Sequence, residues 1–252
     1  NQGADGIKYS GLIDLVDSQA IDFFPMIHDL RSFLRSDGDV NIHVQFEGNG
    51  LDPNDLRMTG ELVYDEASLN DIGIRVSQAN WEIKSGQLLA TANLDEARIR
   101  LDGLLGLANN RDIDLRITKI DVNKLSRIVG IPDLGGEGKV TGKISPLDLT
   151  GVFKVPEASL FNVPIGVLTI PFQYRDEYVY IDQGLLVKNS SQLVLKGKAL
   201  PVGNIPVDLV LYVEPLQIAD YIRLVGNDYP IRGTVTGKLI LDNTLEDLNG
   251  RG

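Results

Sequence analysis

The amino-acid sequence predicts a mainly β protein, built as an elongated antiparallel sheet with a few short helices. Apolar and polar residues alternate along most of the chain, the pattern of strands with one dry and one wet face. The 26 glycines and an apolar fraction that is mostly Leu, Ile and Val suit many strands joined by tight turns. A helical stretch followed by a Gly-x-Val strand occurs three times, which indicates a function spread along a surface.

Strands are predicted over most of the sequence. Strict alternation runs through residues 40–47, 97–102 and 113–118, and a weaker alternation runs through residues 207–214. Further strands are predicted, in chain order, at residues 9–16, 56–64, 72–77, 81–85, 168–174, 178–183 and 193–200. Strands that recur about every ten residues, with Gly, Asn and Asp between them, favour antiparallel meanders over alternating βαβ units.

Three short amphipathic helices are predicted. The first covers residues 20–34, where apolar residues recur at steps of three and four. Asp121 is a candidate N-cap for a second helix over residues 122–129, and Pro215 can begin a third over residues 216–225. The apolar stripes of the second and third helices are Leu125, Ile128, Val129, Ile218, Ala219, Ile222 and Val225.

Helix and strand keep nearly the same offset in each copy of the repeat. The Gly-x-Val strands open at residues 38, 138 and 233, so they start 100 and then 95 residues apart. We therefore divide residues 1–252 into repeats 17–112, 113–206 and a truncated 207–252 of one continuous structure. The chain has neither an initiator Met nor a signal peptide and stops inside the third copy, so we expect a piece of a longer protein.

The composition argues against several classes of function. With 24 Lys and Arg against 35 Asp and Glu, the net charge is −11, so neither nucleic-acid binding nor docking on an anionic membrane is expected. The absence of cysteine excludes disulfides, thiolate zinc sites and a cysteine nucleophile. No apolar run reaches the roughly 20 residues that are needed to span a bilayer.

The sequence shows no pattern typical of catalysis, so we predict neither an enzyme nor a cofactor or metal site. The two histidines, His28 and His43, have no His or Cys neighbour in sequence, and no Gly-x-Ser-x-Gly elbow or Walker-type loop occurs. Residues 135–138 are glycine-rich but precede a strand, which favours a turn over a phosphate cradle. Trp81 is expected to be packed at a sheet edge or in a core.

The dry face of the predicted sheet has to be covered. Its hydrocarbon area would exceed about a thousand Å², well above the few hundred that soluble monomers expose. A second sheet could cover it in a sandwich, or the sheet could fold over into an open trough around an apolar ligand. The alternation of apolar and polar residues in the sequence is the same in both cases. The candidate lining residues are Ile42, Val44, Phe46, Ile99, Leu101, Ile113, Leu115, Ile117, Val140, Ile144, Val179, Ile181, Leu193, Leu195, Val207, Leu209, Leu211, Val213, Val235, Leu239 and Leu241.

The repeat resembles that of a known family. Residues 140–151 and 231–250 share a Val-Thr-Gly-Lys opening and end on a glycine after a short turn, and residues 179–199 add closing strands of the same cadence. This cadence resembles the repeats of the TamB and AsmA-like family of Gram-negative envelope proteins. The copy that opens at residue 38 departs from the pattern, so the resemblance covers about two thirds of the chain, best from Ile113 onward.

The resemblance implies a β-taco, an elongated folded-over sheet whose groove is lined with hydrocarbon. Members of the family are anchored in the inner membrane, cross the periplasm and are linked to phospholipid movement toward the outer membrane. It therefore implies a periplasmic, passive bridge that conducts phospholipid acyl chains between the two membranes. Its inner-membrane anchor would lie outside this chain, and an Omp85-type outer-membrane protein would be a partner.

Two other functions fit the same pattern. The family is also linked to outer-membrane protein assembly in some bacteria, and an open sheet edge could bind a client strand by main-chain hydrogen bonds. A ligand-free structural β stalk, built as a sandwich, is the second alternative.

Overall fold

In the computed structural model, the described residues form two compact units. The described residues are 7–19, 34–35, 39–49, 55–64, 67–69, 72–105, 113–128, 133–145, 148–176, 178–199, 206–225, 231–244 and 249–251. Unit 1 comprises residues 1–117 and 143–146, and unit 2 comprises residues 118–142 and 147–252. Open antiparallel sheet dominates and the helices are short, so the predicted mainly β fold class is confirmed.

Unit 1 is a meander in which neighbouring strands follow chain order. Its strands are β1 (Lys8–Gln19), β2 (Leu34–Arg35), β3 (Asp39–Asn49), β4 (Arg57–Tyr64), β5 (Ala67–Leu69), β6 (Ile72–Ile74), β7 (Val76–Lys84), β8 (Gln87–Leu94) and β9 (Ala97–Leu104), followed by β10 (Ile113–Asp121), in which the boundary between the units falls. The main sheet has the order β1-β3-β4-β7-β8-β9, and β2, β5 and β6 form a separate small sheet.

Unit 2 is a second meander that carries the helices. Its elements are α1 (Val122–Ile128), β11 (Leu134–Gly135), β12 (Glu137–Ile144), β13 (Leu149–Leu160), β14 (Val163–Arg175), β15 (Tyr178–Lys188), β16 (Ser191–Ala199), β17 (Pro206–Gln217), α2 (Ile218–Tyr221), a 3-10 turn (Ile222–Val225), β18 (Thr234–Thr244) and β19 (Asn249–Arg251). Strands β13 to β19 pair in chain order, and β11 pairs with β13.

Tight hairpin turns produce the meander. Ser85 and Gly86 join β7 to β8 with φ of 51° and 74°, and Phe161 and Asn162 join β13 to β14 with φ of 50° and 62°. Two successive positive φ values are those of a type I′ turn, whose twist matches that of the flanking strands. The predicted antiparallel meander is therefore present in both units.

Two of the long strands have no counterpart among the strand ranges predicted from sequence. β8 lies in a stretch with two alanines and a threonine, whose alternation is weak, and β13 contains Pro156 and Gly151. β13 tolerates the proline because its pairing with β14 shifts register between Val155 and Ala158, where one N–H is not needed.

The second predicted helix is present with a different buried face. The Asp121 carboxylate accepts a hydrogen bond from the Lys124 backbone N–H at 3.1 Å, which confirms it as the N-cap of α1. Val122 and Ser126 are buried, whereas Leu125 is exposed, so the predicted stripe is wrong. A helix of two turns buries only the one i, i+4 pair that meets the sheet.

The predicted start of the third helix is wrong, and the first predicted helix is not tested. β17 continues through Gln217, and α2 begins at Ile218. Pro215 lies where the β17–β18 ladder shifts register between Val213 and Leu216, a gap that accepts a residue without an N–H. Residues 20–33, most of the first predicted helix, lie outside the described residues.

Complete burial of hydrophobic side chains is confined to unit 2 within the described part of the chain. The buried hydrophobic residues are Val122, Val155, Ala158, Ile165 and Val194. In unit 1 the described apolar side chains are half-buried or exposed, and strands β8 and β9 alternate between half-buried and exposed positions. The facing side chains of a sandwich would be close-packed and buried, so a second sheet does not cover the described face of unit 1.

Candidate functional site

The register of unit 1 aligns its apolar residues in three rows across six strands. The first row is Gly11, Phe46, Met58, Ile83, Leu88 and Gly103; the second is Ile13, Val44, Gly60, Trp81, Ala90 and Leu101; the third is Leu15, Ile42, Leu62, Ala79, Ala92 and Ile99. Six strands span about 24 Å, and rows two residues apart lie about 7 Å from each other. The predicted lining residues of β3 and β9 therefore share one continuous apolar face.

The opposite face of unit 1 is polar and exposed. His43 and Asp14 stand opposite each other on β3 and β1, and His43 Nδ1 lies 2.5 Å from an Asp14 carboxylate oxygen. Arg57 and Glu47 also stand opposite each other, on β4 and β3, and the Arg57 guanidinium donates a hydrogen bond of 3.4 Å to a Glu47 carboxylate oxygen. These cross-strand pairs place His43 on the wet face as predicted, while His28 lies outside the described residues.

Aromatic rings lie across glycines on the apolar face of unit 1. A Cβ built on Gly60 would lie 2.0 Å from the Trp81 indole, and one built on Gly11 would lie 2.5 Å from the Phe46 ring. Each ring thus covers the strand beside its own, an arrangement that compensates for a glycine in a sheet. The apolar face is consequently nearly flat along the first two rows.

A cleft of about 730 Å³ lies against β1, β3, β4 and β7 of unit 1. Four of its twelve lining residues, Gly11, Phe46, Met58 and Ile83, form part of the first row. The other eight alternate onto the polar face of the sheet; they are Ser10, Leu12, Gln45, Glu47, Arg57, Thr59, Glu82 and Lys84. This volume is within the range that small-molecule ligands occupy in proteins.

Unit 2 has a comparable set of rows. The helix-side row is Val155, Leu168, Leu186, Leu193, Val213 and Gly237; the central row is Gly184, Leu195, Leu211 and Leu239; the distal row is Ile181, Gly197, Leu209 and Leu241; beyond it lie Val179, Ala199, Val207 and Asn243. The predicted lining residues of β15, β16 and β17 all belong to these rows.

The remaining predicted lining residues lie on other strands or at the end of one. Within β10 and β12 they are half-buried and alternate with exposed positions; these residues are Ile113, Leu115, Ile117, Val140 and Ile144. Val235 is opposite Leu216, beyond the register shift of β17, and is 45% exposed.

The helices of unit 2 cover the helix-side row. Val122 of α1 packs with Val155, Ala158 and Ile165, and Tyr221 and Leu224 pack against the same cluster. Leu168 and Leu186 of the helix-side row join it, together with Leu134, Phe153 and Leu160. This end of the apolar face is thus occupied by the chain itself.

Asp220 of α2 binds the turn between β15 and β16. Its two carboxylate oxygens accept hydrogen bonds from the Ser191 hydroxyl at 2.6 Å and the Asn189 side-chain amide at 2.5 Å. The Lys188 ammonium donates to the Asp220 main-chain carbonyl at 2.5 Å and to the Pro164 carbonyl at 2.6 Å. The Ser191 and Asn189 hydrogen bonds hold the pKa of Asp220 below its usual value, with the Lys188 charge adding to the effect.

Tyr221 anchors the same helix to β14. Its hydroxyl donates to the Ile165 carbonyl at 3.3 Å, and its ring lies 5.1 Å from the Lys188 ammonium. Burial of the phenol raises the pKa of Tyr221, and the nearby charge of Asp220 raises it further. The phenol therefore stays neutral and keeps its donor at physiological pH.

The described residues offer little chemistry beyond these contacts. Among them, no group of three His, Cys, Asp or Glu side chains is placed to hold a metal ion. In the same residues, no helix has the length and apolarity needed to cross a membrane. Gly135 ends β11, and Gly136, with φ of 126°, is the single residue that connects it to β12, so residues 135–138 form a sharp bend between two strands.

The sequence-based list of lining residues contains no residue of β4, β7 or β8. Met58, Leu62, Ile83 and Leu88 lie in the rows of unit 1, and so does Trp81, which was expected in a packed position. The signal that could have found them is cross-strand pairing: Met58 and Leu62 stand opposite Phe46 and Ile42, which alternation alone identifies. The pairing of β4 with β7 and of β7 with β8 then extends the same rows to Ile83, Trp81 and Leu88.

No family model, curated protein or solved structure matches this chain.

Proposed function

We propose that this protein holds phospholipid acyl chains on its apolar sheet face and conducts them passively between the inner and outer membranes, in the periplasm. The observation that carries this proposal is the set of three apolar rows in unit 1, which no second sheet covers in the described residues. The resemblance to the TamB and AsmA-like repeats supports the lipid and the compartment.

Partition supplies the driving force. Each CH₂ group removed from water gains about 0.8 kcal/mol, so a hydrocarbon chain on the face is strongly favoured over one in water. Residues such as Val44, Leu62 and Leu101 offer no directional contacts, so no single position on the face binds the acyl chain much more tightly than the next. The acyl chain can therefore move from strand to strand. The headgroup remains in water at the open side.

The dimensions of the face suit this ligand. One leaflet of a bilayer holds its acyl chains in about 15 Å, half of the hydrocarbon thickness. The six strands of unit 1 extend about 24 Å, and the three rows are about 13 Å wide between the outer two. An acyl chain lying across the strands therefore fits within one unit.

A matched pair of substitutions in β8 tests the proposal. Ala90 lies in the second row, beside Trp81, whereas Thr91 is exposed on the polar face. We expect Ala90→Asp to reduce lipid transfer between vesicles at least about tenfold, because a carboxylate in the path must be desolvated when a chain passes. Thr91→Asp should transfer lipid like the wild type.

Mass spectrometry of lipid that copurifies with the wild-type chain is the complementary measurement. Phospholipid bound to the wild type and lost from Ala90→Asp is the expected result. Equal transfer by the wild type and by a folded Ala90→Asp variant would contradict the conduit. A purified wild-type protein free of lipid that also fails to take it up would do the same.

Binding of outer-membrane protein strands is the second candidate function, and the edge of unit 1 favours it. Among the described residues β1 pairs only with β3; Leu12 and Val16 on it are 58% and 67% exposed, and Ile7, just before it, is 81% exposed. A client strand could add to this edge by main-chain hydrogen bonds. Copurification of peptide in place of lipid would favour this candidate.

A further inference from the structure

A short segment covers the helix-side row of unit 2. This cover segment, residues 218–225, comprises α2 and the 3-10 turn. Its Tyr221 and Leu224 pack against the buried cluster on which Leu168 and Leu186 of this row also pack. These two side chains occupy the place that a hydrocarbon ligand would take on the same row.

Polar contacts supply much of the attachment of the cover segment. Ser191 and Asn189 bind the Asp220 carboxylate, and Lys188 binds the Asp220 carbonyl. Ala219 and Arg223 are exposed, and none of the segment's described side chains is fully buried. Hydrogen bonds exchange readily for water with a small net change in free energy. Segments with few buried apolar contacts are those that open locally.

The start of the segment provides a fixed end. The Gln217 N–H donates to the Ser191 hydroxyl at 2.9 Å, and the Ile218 N–H donates to the Gly233 carbonyl at 3.0 Å. Both bonds are at the junction with β17. A change of backbone angle just after Ile218 would therefore lift Tyr221 and Leu224 while β17 keeps its pairing.

We propose that the cover segment is a flap over the helix-side row, and that its release from the Asp220 contacts opens a further track for an acyl chain in unit 2. This inference rests on the proposed lipid-holding function of the apolar face. Released, the row would present Leu168 and Leu186 in the way that unit 1 presents its own rows, while Val155 would stay packed against Val122 of α1.

Thiol labelling tests the flap without lipid, because the chain has no cysteine of its own. Leu186→Cys places a thiol in the helix-side row, and Leu211→Cys places a matched thiol in the central row. Adding Asp220→Asn should speed maleimide labelling at position 186 about tenfold, the factor that corresponds to about 1.4 kcal/mol. Labelling at position 211 should not change. Equal rates at position 186 with and without Asp220→Asn would overturn the flap.

Lipid load tests the track. Ser191→Cys combined with Asp220→Cys allows a short bis-alkyl halide, which alkylates both thiols with loss of two halide ions, to lock the segment, since the native Oγ and Oδ2 atoms are 2.6 Å apart. The locked protein should retain less phospholipid, by mass spectrometry, than the same protein without the reagent. Equal amounts of bound phospholipid with and without the reagent would contradict the proposed track in unit 2. Faster labelling at position 186 in a protein that binds no lipid in any form would support the flap and reject the proposed function.

Discussion

At the scale of single residues, the apolar face depends on glycines that lie beneath aromatic rings. Gly60 has no room for a Cβ because the Trp81 indole lies across it, and Gly11 is related to Phe46 in the same way. A larger residue at either position would lift the ring from the sheet. The ring would then project into the path proposed for the acyl chain.

We expect Gly60→Ala to destabilise the protein by about 1–3 kcal/mol, the usual effect of forcing a methyl group into a packed position. Gly237→Ala is the control, since a Cβ there would meet nothing within 4 Å. Urea unfolding followed by circular dichroism measures both changes. An unfolding free energy unaltered by Gly60→Ala would show that Trp81 does not rest on Gly60.

Alternation along single strands predicted which residues share a face only where the ladder is regular. Ile42 and Val44 lie on one side of β3 as their spacing requires. In β15 the register shifts between Ile181 and Gly184, so these two, three residues apart, face the same side while Gln183 is exposed. A bulge is a property of the strand pair, and sequence periodicity within one strand does not contain it.

At the scale of elements, strands were predictable where β-branched or large apolar residues alternate with charged ones. β8 was missed because alanines stand at its inward positions, and Trp81 was placed in a strand that begins five residues too late. The helices were harder, because seven and four residues are too few for a helix to form by itself. Packing against the sheet decides where α1 and α2 start and which side they bury.

The attachment of α2 should weaken in acid. Since hydrogen bonds from Ser191 and Asn189 lower the pKa of Asp220 in the folded protein below its ordinary 3.8, the stabilisation is complete above that value and is lost as pH falls. The difference in unfolding free energy between the wild type and Asp220→Asn should therefore be larger at pH 7 than at pH 3.

Urea titrations at the two pH values measure that difference. Glu214→Gln is the matched control, because Glu214 is an exposed carboxylate on β17, and the substitution should have little effect at either pH. An Asp220→Asn difference that stays constant from pH 7 to pH 3 would show that the charge of Asp220 does not stabilise the fold.

At the scale of the whole molecule, the charge of −11 and the apolar faces would act differently on the lipid exchange that we propose. Approach to an anionic membrane is opposed by long-range repulsion, whereas capture of the acyl chain depends on burial of hydrocarbon. The sequence predicted both properties from composition and alternation. From the sequence alone, a second sheet packed as a sandwich remained one of two ways to cover the dry face. The rows of unit 1 are only half-buried, which excludes the sandwich for the described residues.

Lipid transfer from anionic vesicles should be slower than transfer from zwitterionic vesicles at low salt. The difference should shrink as salt is raised toward 1 M, where the Debye length falls to about 3 Å. Transfer rates measured with a fluorescent phospholipid in both kinds of vesicle provide the test. A difference that persists at high salt would point to headgroup recognition by the protein and not to its net charge.

The chain-order pairing of strands within each unit also has an evolutionary consequence. Duplicating one hairpin in such a meander would lengthen the sheet by about 10 Å and leave the neighbouring strand pairs as they are. Natural selection could thus adjust the length of the sheet in small steps. The number of strands in such a sheet can therefore change in evolution while the fold stays the same.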